Sequence, residues 1–388
     1  MDETPHSAPA AAGPLRIALA CGGTGGHIFP GLATAEVLSR QGHPVTLWLA
    51  GKDIEQTAIN DWSGEVITVP AMGLPHGFSL RTFQAVWSLV QAAGVCRRRM
   101  RAARPDVLLA MGSYGSVGPV SAALRLGVPV ILHEANVVPG RTIRLFARRA
   151  RAVAASFEET RFHLRHIPVV VTGMPIRKEL EAASRIAPST ARSATFTIMV
   201  LGGSRGAHRL NEVALEAIGR LSARGVAVRV LHVAGRDAEA AVRAGYVRAG
   251  VPHEVVGFTA DMARLYADTD LAICRAGAST CAELLAFGLP ALLVPYPYAA
   301  ADHQRANALA LSKIGAADYV AERDLTSTWL ADYLDACIRA PERLARMRAA
   351  SRAQPTRQGA EKLAELVAHV GWKKPGPLGE SVAERSPA

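Results

Sequence analysis

The chain has 388 residues, 49% hydrophobic and 20% charged, with 44 Lys+Arg against 33 Asp+Glu for a net charge of +11. This length and balance exclude a disordered or fibrous protein and predict two or three folded α/β domains. The basic excess suits phosphate ligands or anionic lipid, whereas 5% aromatic residues and the lack of a nucleic-acid module argue against nucleic acid.

Residues 1–14, rich in Ala and Pro, read as a disordered leader, and Asp2 and Glu3 stand where a secretory signal would carry basic residues. A strand over 16–20 then enters the loop Gly22-Gly23-Thr24-Gly25 and an amphipathic helix, with His27 at the helix start. Further strands are expected at 45–49, 66–69, 107–110, 128–132 and 152–155. After Leu74-Pro75-His76-Gly77-Phe78, a helix carries Leu80, Phe83, Val86, Trp87 and Val90 on one face, with Arg97, Arg98, Arg99, Arg101 and Arg104 directly behind. That face either enters the core or meets a membrane, since helical spacing does not separate the two. Arg141, Arg144, Arg148, Arg149 and Arg151 form a second basic cluster on a helix over 142–150. No stretch of about 18 uncharged apolar residues occurs, so no membrane-spanning helix is expected.

Thr172-Gly173-Met174-Pro175 marks a domain boundary, after which the opening design repeats. A strand over 197–201 leads into Gly202-Gly203-Ser204-Arg205-Gly206 and another amphipathic helix, so each half opens on its own glycine-rich turn. Strands over 227–233, 271–273 and 291–294 follow, and a last helix over 358–370 precedes a loose tail. The α/β alternation predicts two parallel sheets. Neither glycine-rich loop fits the dinucleotide pattern or carries the Lys-Ser/Thr of a P-loop, which argues against an NAD oxidoreductase.

The segment from Cys274 to Asn307 is the most informative. Strand, Arg275-Ala276-Gly277 loop, short helix, Gly288 and Pro290 stop, and a second strand aim helix N-terminal amides and a carboxylate into one crevice. Amides and Arg275 suit a diphosphate; Glu283 suits a ribose diol. Thr280-x-x-Glu283, with Ser279 and Thr280 as candidate N-caps, satisfies a capping box equally well, and both readings of Glu283 stand. Five scattered cysteines read as small buried thiols. No DxD-type carboxylate pair near a strand end marks a metal-dependent transferase, and no cofactor is expected.

The motifs GGTGGHIFPG, MGSYGSVGP, HEANVVPGRT, TGMPIR, GGSRGAHRLNE, CRAGASTCAELLAFGLPALLVPYP and DHQRANA resemble, in order, those of the MurG family of UDP-GlcNAc:lipid-linked MurNAc-pentapeptide transferases. The resemblance implies a GT-B fold, two Rossmann-like domains facing a central cleft. It implies an acceptor-binding, membrane-associated domain over 15–175, a UDP-GlcNAc-binding domain over 176–355 and a helix over 356–371 returning to the first domain, while the composition of 372–388 reads as a disordered tail. Glu283 would then hold the ribose, Thr259 the uracil edge, and Ser204 with Ala278, Ser279 and Thr280 the diphosphate and sugar. Asn136, Arg177 and Gln304 match further donor contacts, and Thr24, Gly25 and Gly26 the loop close to the reacting sugar. His27, Tyr114, His133 and Glu134 match acceptor or catalytic positions, with His27 and Glu134 rival general bases. The chain departs from the family pattern at Ser113 (usually Gly), Ala135 (usually Gln) and Met174 (usually Asn).

These expectations describe an inverting, metal-independent transfer of GlcNAc to lipid I, giving lipid II, at the cytoplasmic face of the membrane. A GT-B enzyme acting on another lipid, such as diacylglycerol, and a non-catalytic nucleotide-sugar-binding membrane protein are the alternatives.

Overall fold

The computed structural model describes residues 13–69, 80–186, 195–202, 207–354 and 358–372, the side chains of 54 and 80–86 excepted. The apolar runs form two wholly parallel sheets. The first contains β1 (Ile17–Ala20), β2 (Val45–Leu49), β3 (Val66–Thr68), β4 (Val107–Ala110), β5 (Val130–Glu134), β6 (Ala152–Ala155) and β7 (Val169–Val171), in the order β3-β2-β1-β4-β5-β6-β7. The second contains β8 (Phe196–Leu201), β9 (Val228–Val233), β10 (His253–Val256), β11 (Leu271–Cys274), β12 (Ala291–Leu293) and β13 (Ala317–Tyr319), in the order β10-β9-β8-β11-β12-β13. Each order reverses direction beside its first strand, between β1 and β4 and between β8 and β11. In open α/β sheets, ligands bind outside the carboxyl ends of strands at such a switch point.

Helices cover both faces of each sheet. In the first domain, Gly25–Arg40 and Gly359–Trp372 pack Ile28, Leu38, Leu363 and Val367 over Ile17, Leu19 and Leu109. The last described helix therefore lies on the first sheet. The helices Leu80–Ala102 and Val117–Arg125 cover the opposite face, burying Cys96, Met100 and Val120 against Leu108 and Leu132. In the second domain, His208–Ala223 and Ser327–Arg339 cover one face, and Ala278–Phe287 with His303–Lys313 the other. Strands buried on both faces are near-continuously apolar, which is why the central ones are plain in the sequence.

Three strands escape that reading. β7, β10 and β13 are sheet edges of three or four residues, none of them wholly buried. His253, Glu254 and Asp318 give β10 and β13 the composition of loops. Among the described residues, no helix is long and apolar enough to cross a membrane.

Candidate active site

At the first switch point the turns after β1 and β4 touch. Gly23 has φ +134°, and a Cβ there would sit 2.9 Å from Ser113 Oγ, so the contact admits only glycine. Ser113 itself has φ +64°, a backbone that side chains rarely adopt. Its Oγ donates to the Gly22 carbonyl and accepts from the Gly115 amide at 3.1 Å, which offsets that strain.

Glu55, which sequence reasoning missed, supports this loop from below. It is 1% exposed, and its Oε1 accepts from the Gly23 amide at 2.6 Å. Its Oε2 accepts from the amides of Gly51 at 2.7 Å and Lys52 at 3.0 Å. The available signal was a glutamate three residues beyond Lys52 at a helix start.

Thr24 is the N-cap of Gly25–Arg40 and places His27 in its first turn. His27 Nδ1 lies 2.9 Å from Thr24 Oγ1, and the ring packs against Gly112. Burial lowers the imidazole pKa to about 4, so it is neutral near pH 7. Tyr114, in the short helix Tyr114–Ser116, has the Lys52 ammonium 5.3 Å above its ring.

The other two candidates from this domain look inward. His133 is 1% exposed, with Nε2 3.5 Å from Ser156 Oγ, and burial lowers its pKa to about 4. Glu134 is buried, and its Oε1 accepts from the Asn136 amide at 2.8 Å and from Asn136 Nδ2 at 3.3 Å. Its Oε2 accepts from the Gly140 amide at 2.8 Å, so the carboxylate organises the loop after β5. Burial raises its pKa, against the pull of these donors.

Across the cleft, the helix Ala278–Phe287 presents Ala278, Ser279 and Thr280 in its first turn and ends on left-handed Gly288. It meets the first domain directly, for a Cβ added at Gly26 would lie 3.9 Å from Ser279 Oγ. The predicted capping box does not form. Gly277 is the N-cap, no side chain caps the helix, and the Glu283 carboxylate instead accepts from Tyr266 Oη at 2.6 Å. Ser279 and Thr280 lie two and three residues beyond the N-cap, inside the helix and past the capping position. Burial raises the Glu283 pKa, while the Tyr266 hydrogen bond and the Arg177 charge pull it down. Arg177 also lies 5.4 Å from the ring centre of Phe29, a first-domain residue, and so stands between the two domains.

The remaining donor candidates spread along the same edge. Thr259 Oγ1 accepts from the Asp261 amide at 3.0 Å, and Gln304 Oε1 from the Tyr296 amide at 2.9 Å. The Arg275 guanidinium, expected to meet a diphosphate, is committed elsewhere. It pairs with Glu322 and donates to the carbonyls of Val294 at 3.1 Å and Pro295 at 3.3 Å. Ser204 lies outside the described residues. Asn307, quoted within a motif but given no role, is fully buried where the domains meet. Its Oδ1 accepts from the Val137 amide at 3.0 Å, and its Nδ2 donates to Asn136 Oδ1 at 3.0 Å and the Ala276 carbonyl at 3.1 Å. Among the described residues, no group of three or more His, Cys, Asp or Glu is placed to hold a metal ion, and the five cysteines are buried and free.

Comparison with known proteins agrees with this geometry. Residues 17–155 match the glycosyltransferase family 28 N-terminal domain, and residues 197–366 the family 28 C-terminal domain. A UDP-N-acetylglucosamine--N-acetylmuramyl-(pentapeptide) pyrophosphoryl-undecaprenol N-acetylglucosamine transferase from Syntrophotalea carbinolica is 36% identical over 361 residues, 92% of this chain and 99% of that protein. This chain belongs to the MurG family. A relative of the same name from Hahella chejuensis is 39% identical over 85% of this chain and 91% of its own length. The crystal structure of Acinetobacter baumannii MurG superposes with a TM-score of 0.76 at 28% identity, covering 92% of this chain and all of that one. A UDP-N-acetylglucosamine 2-epimerase from Listeria monocytogenes, described as putative, shares the fold alone, with a TM-score of 0.67 at 13% identity.

Two of the departures from the MurG pattern meet in space. Ala135 and Met174 pack together with Ala282 in one small buried cluster at the domain junction. Where the resemblance expects Gln and Asn, this chain thus carries two apolar residues of one cluster.

Proposed function

We propose that this chain is an inverting glycosyltransferase that moves GlcNAc from UDP-GlcNAc to the undecaprenyl-diphosphate-linked MurNAc-pentapeptide, converting lipid I to lipid II in peptidoglycan synthesis. The observation that carries the reading is the family match along both domains, with relatives of that activity aligned over nearly their whole length. The convergence of the His27 turn and the Ala278–Phe287 helix on one cleft supplies the chemistry.

In this reading Glu283 receives the ribose hydroxyls of the donor, and Thr259 marks the uracil edge. The amides of Ala278, Ser279 and Thr280 face the diphosphate, where a helix N-terminus meets charge growing on departing UDP. Ser204, Asn136, Arg177 and Gln304 complete the donor contacts. Arg275 acts one step back, by fixing the loop after β12 on Glu322 and two carbonyls.

His27 is the general base that takes the proton of the acceptor hydroxyl as it attacks the anomeric carbon. Its neutral ring and its place beside Thr24, Gly25 and Gly26 support this choice. The two oxygens of Glu134 are already occupied by loop donors, which favours His27 over its rival. Two diphosphates entering the cleft raise the imidazole pKa and so strengthen the base when substrates are bound. Tyr114 and His133 shape the acceptor side from beneath. Charge on the leaving group is met by amides, helix ends and Arg177 without a metal, so activity should survive EDTA.

The acceptor is lipid-linked, so the first domain docks peripherally on the anionic cytoplasmic face of the membrane. The exposed Trp87 and Val90, beside the arginines that end the same helix, support this placement. Transfer of labelled GlcNAc from its UDP form to a panel of lipid acceptors tests the whole reading. Transfer to lipid I alone is expected; transfer to diacylglycerol, or to nothing, would select an alternative.

A further inference from the structure

The first-domain glycine-rich turn has the composition of an anion cradle, but its anion comes from the protein. The Glu55 carboxylate, 1% exposed, accepts from three backbone amides, those of Gly23, Gly51 and Lys52. Three such bonds leave it nearly saturated and leave Gly23 N unable to meet a ligand. The fit is close, since a Cβ added at Gly22 would fall 3.1 Å from Glu55 Oε1. Ser113 Oγ holds the Gly22 carbonyl from the opposite side, so one peptide segment is clamped by an acceptor and a donor. Thr24 follows this segment directly, and its hydroxyl sets the His27 ring at 2.9 Å.

We propose that Glu55 is a positioning residue for the transfer reaction, an internal anion that fixes Gly23 and through it the Thr24–His27 pair. It touches neither substrate. A glutamine at this position keeps the size but turns one oxygen into a donor facing a donor, which the loop cannot accept without moving. An aspartate keeps the charge but draws the carboxylate back by one methylene. The inference rests on His27 as the base, and the experiment separates the two.

The test measures kcat, acceptor KM and UDP affinity for Glu55→Gln, Glu55→Asp and His27→Ala, with the His27 ring followed by NMR titration. His133 is the titratable group whose charge couples to that ring, while Glu55 is joined to the loop through the Gly23 amide and Lys52 lies over the Tyr114 ring. Glu55→Gln should lower kcat about tenfold to a hundredfold with UDP affinity unchanged, consistent with a displaced catalytic group. The His27 pKa should rise from about 4 toward its ordinary value as water reaches the ring. Glu55→Asp should recover part of the rate. If Glu55→Gln merely melts earlier, with kcat, acceptor KM and the His27 titration as in the parent, the role is structural and the proposal fails. If Glu55→Gln does not fold, the same readouts on Glu55→Asp decide. Full activity of His27→Ala would instead overturn the base assignment, whatever the Glu55 variants do.

Discussion

Asn307 Nδ2 donates to Asn136 Oδ1 at 3.0 Å, joining a helix of the second domain to the loop after β5 in the first. Asn136 in turn donates to Glu134, so the two domains share one chain of hydrogen bonds. Asn307 is buried, and truncating it strands the Val137 amide and the Ala276 carbonyl as well.

Asn307→Ala should therefore cost stability, by roughly 2–4 kcal/mol given the usual penalty for each buried group left unpaired. Turnover should fall as well, because Asn136 loses its lateral support. Denaturant unfolding and steady-state kinetics check both. Unchanged stability would show that water replaces the side chain without loss.

Glu283 and Tyr266 form the second test. Glu283→Ala should weaken UDP binding about tenfold to a hundredfold, the size of a charged hydrogen bond of roughly 1.5–3 kcal/mol. Tyr266→Phe removes the hydroxyl that pulls the raised carboxyl pKa down, so UDP affinity should then fall at a higher pH on acidification than in the parent. Calorimetric titration across pH measures this. Loss of melting temperature with unchanged UDP affinity would return Glu283 to a purely structural role.

The imidazole of His27 supplies a pH prediction. With its pKa lowered to about 4, the ring stays neutral well below pH 6.5, and protonation begins only near pH 5. The base form is lost as pH falls through the folded-state value, so the acid limb assigned to His27 in the free enzyme lies near pH 4. NMR titration of the ring checks this directly, and an ordinary value near 6.5 would mean the ring is solvated. His27→Ala should lower turnover roughly 10²–10⁴-fold with UDP affinity nearly unchanged. An equal loss from Glu134→Ala, with His27→Ala mild, would move the base to Glu134.

Much of this arrangement was legible in the chain, for reasons that differ by residue. The central strands announce themselves because they are buried on both faces, and the turn after β1 and the end of the helix Ala278–Phe287 because Gly23 and Gly288 need backbones that only glycine takes easily. Edge strands such as β10 and β13 are half polar and read as loops. The capping-box pattern at Thr280 and Glu283 was misleading, because the helix starts one residue beyond Gly277 and Tyr266 offers the carboxylate a better donor. Glu55 and Asn307 act over 32 and 171 residues of chain, a separation that local motifs do not encode.

Ala135 and Met174 depart from the family pattern together and pack together, so their effects should be coupled. Ala135→Gln alone places an amide against Met174 and Ala282 and should destabilise by about 1–3 kcal/mol. Adding Met174→Asn offers that amide a partner and should recover part of the loss. A double-mutant cycle measures the coupling, and strictly additive effects would show that the two changes are independent.

The final prediction concerns membrane docking. Trp87 is 58% exposed and Val90 59%, on a helix whose inner residues Leu89, Ala92, Cys96 and Met100 are buried. The helix therefore uses both faces: one enters the core and the other leaves an indole and an isopropyl group in solvent. Arg97, Arg98, Arg99 and Arg101 follow Trp87 within about four turns of the same helix. An exposed Trp beside such a cluster is the usual interfacial combination, and each Arg near an anionic leaflet contributes about 1 kcal/mol. Salt screens that attraction, so binding should weaken between low and physiological ionic strength. Trp87→Ser with Val90→Ser should release the protein from anionic vesicles in co-sedimentation while UDP binding stays intact. Both side chains are exposed, so the double variant should keep the parent melting temperature within a few degrees, the usual range for surface changes. Vesicle binding indifferent to salt and to both substitutions would remove this face from the docking surface.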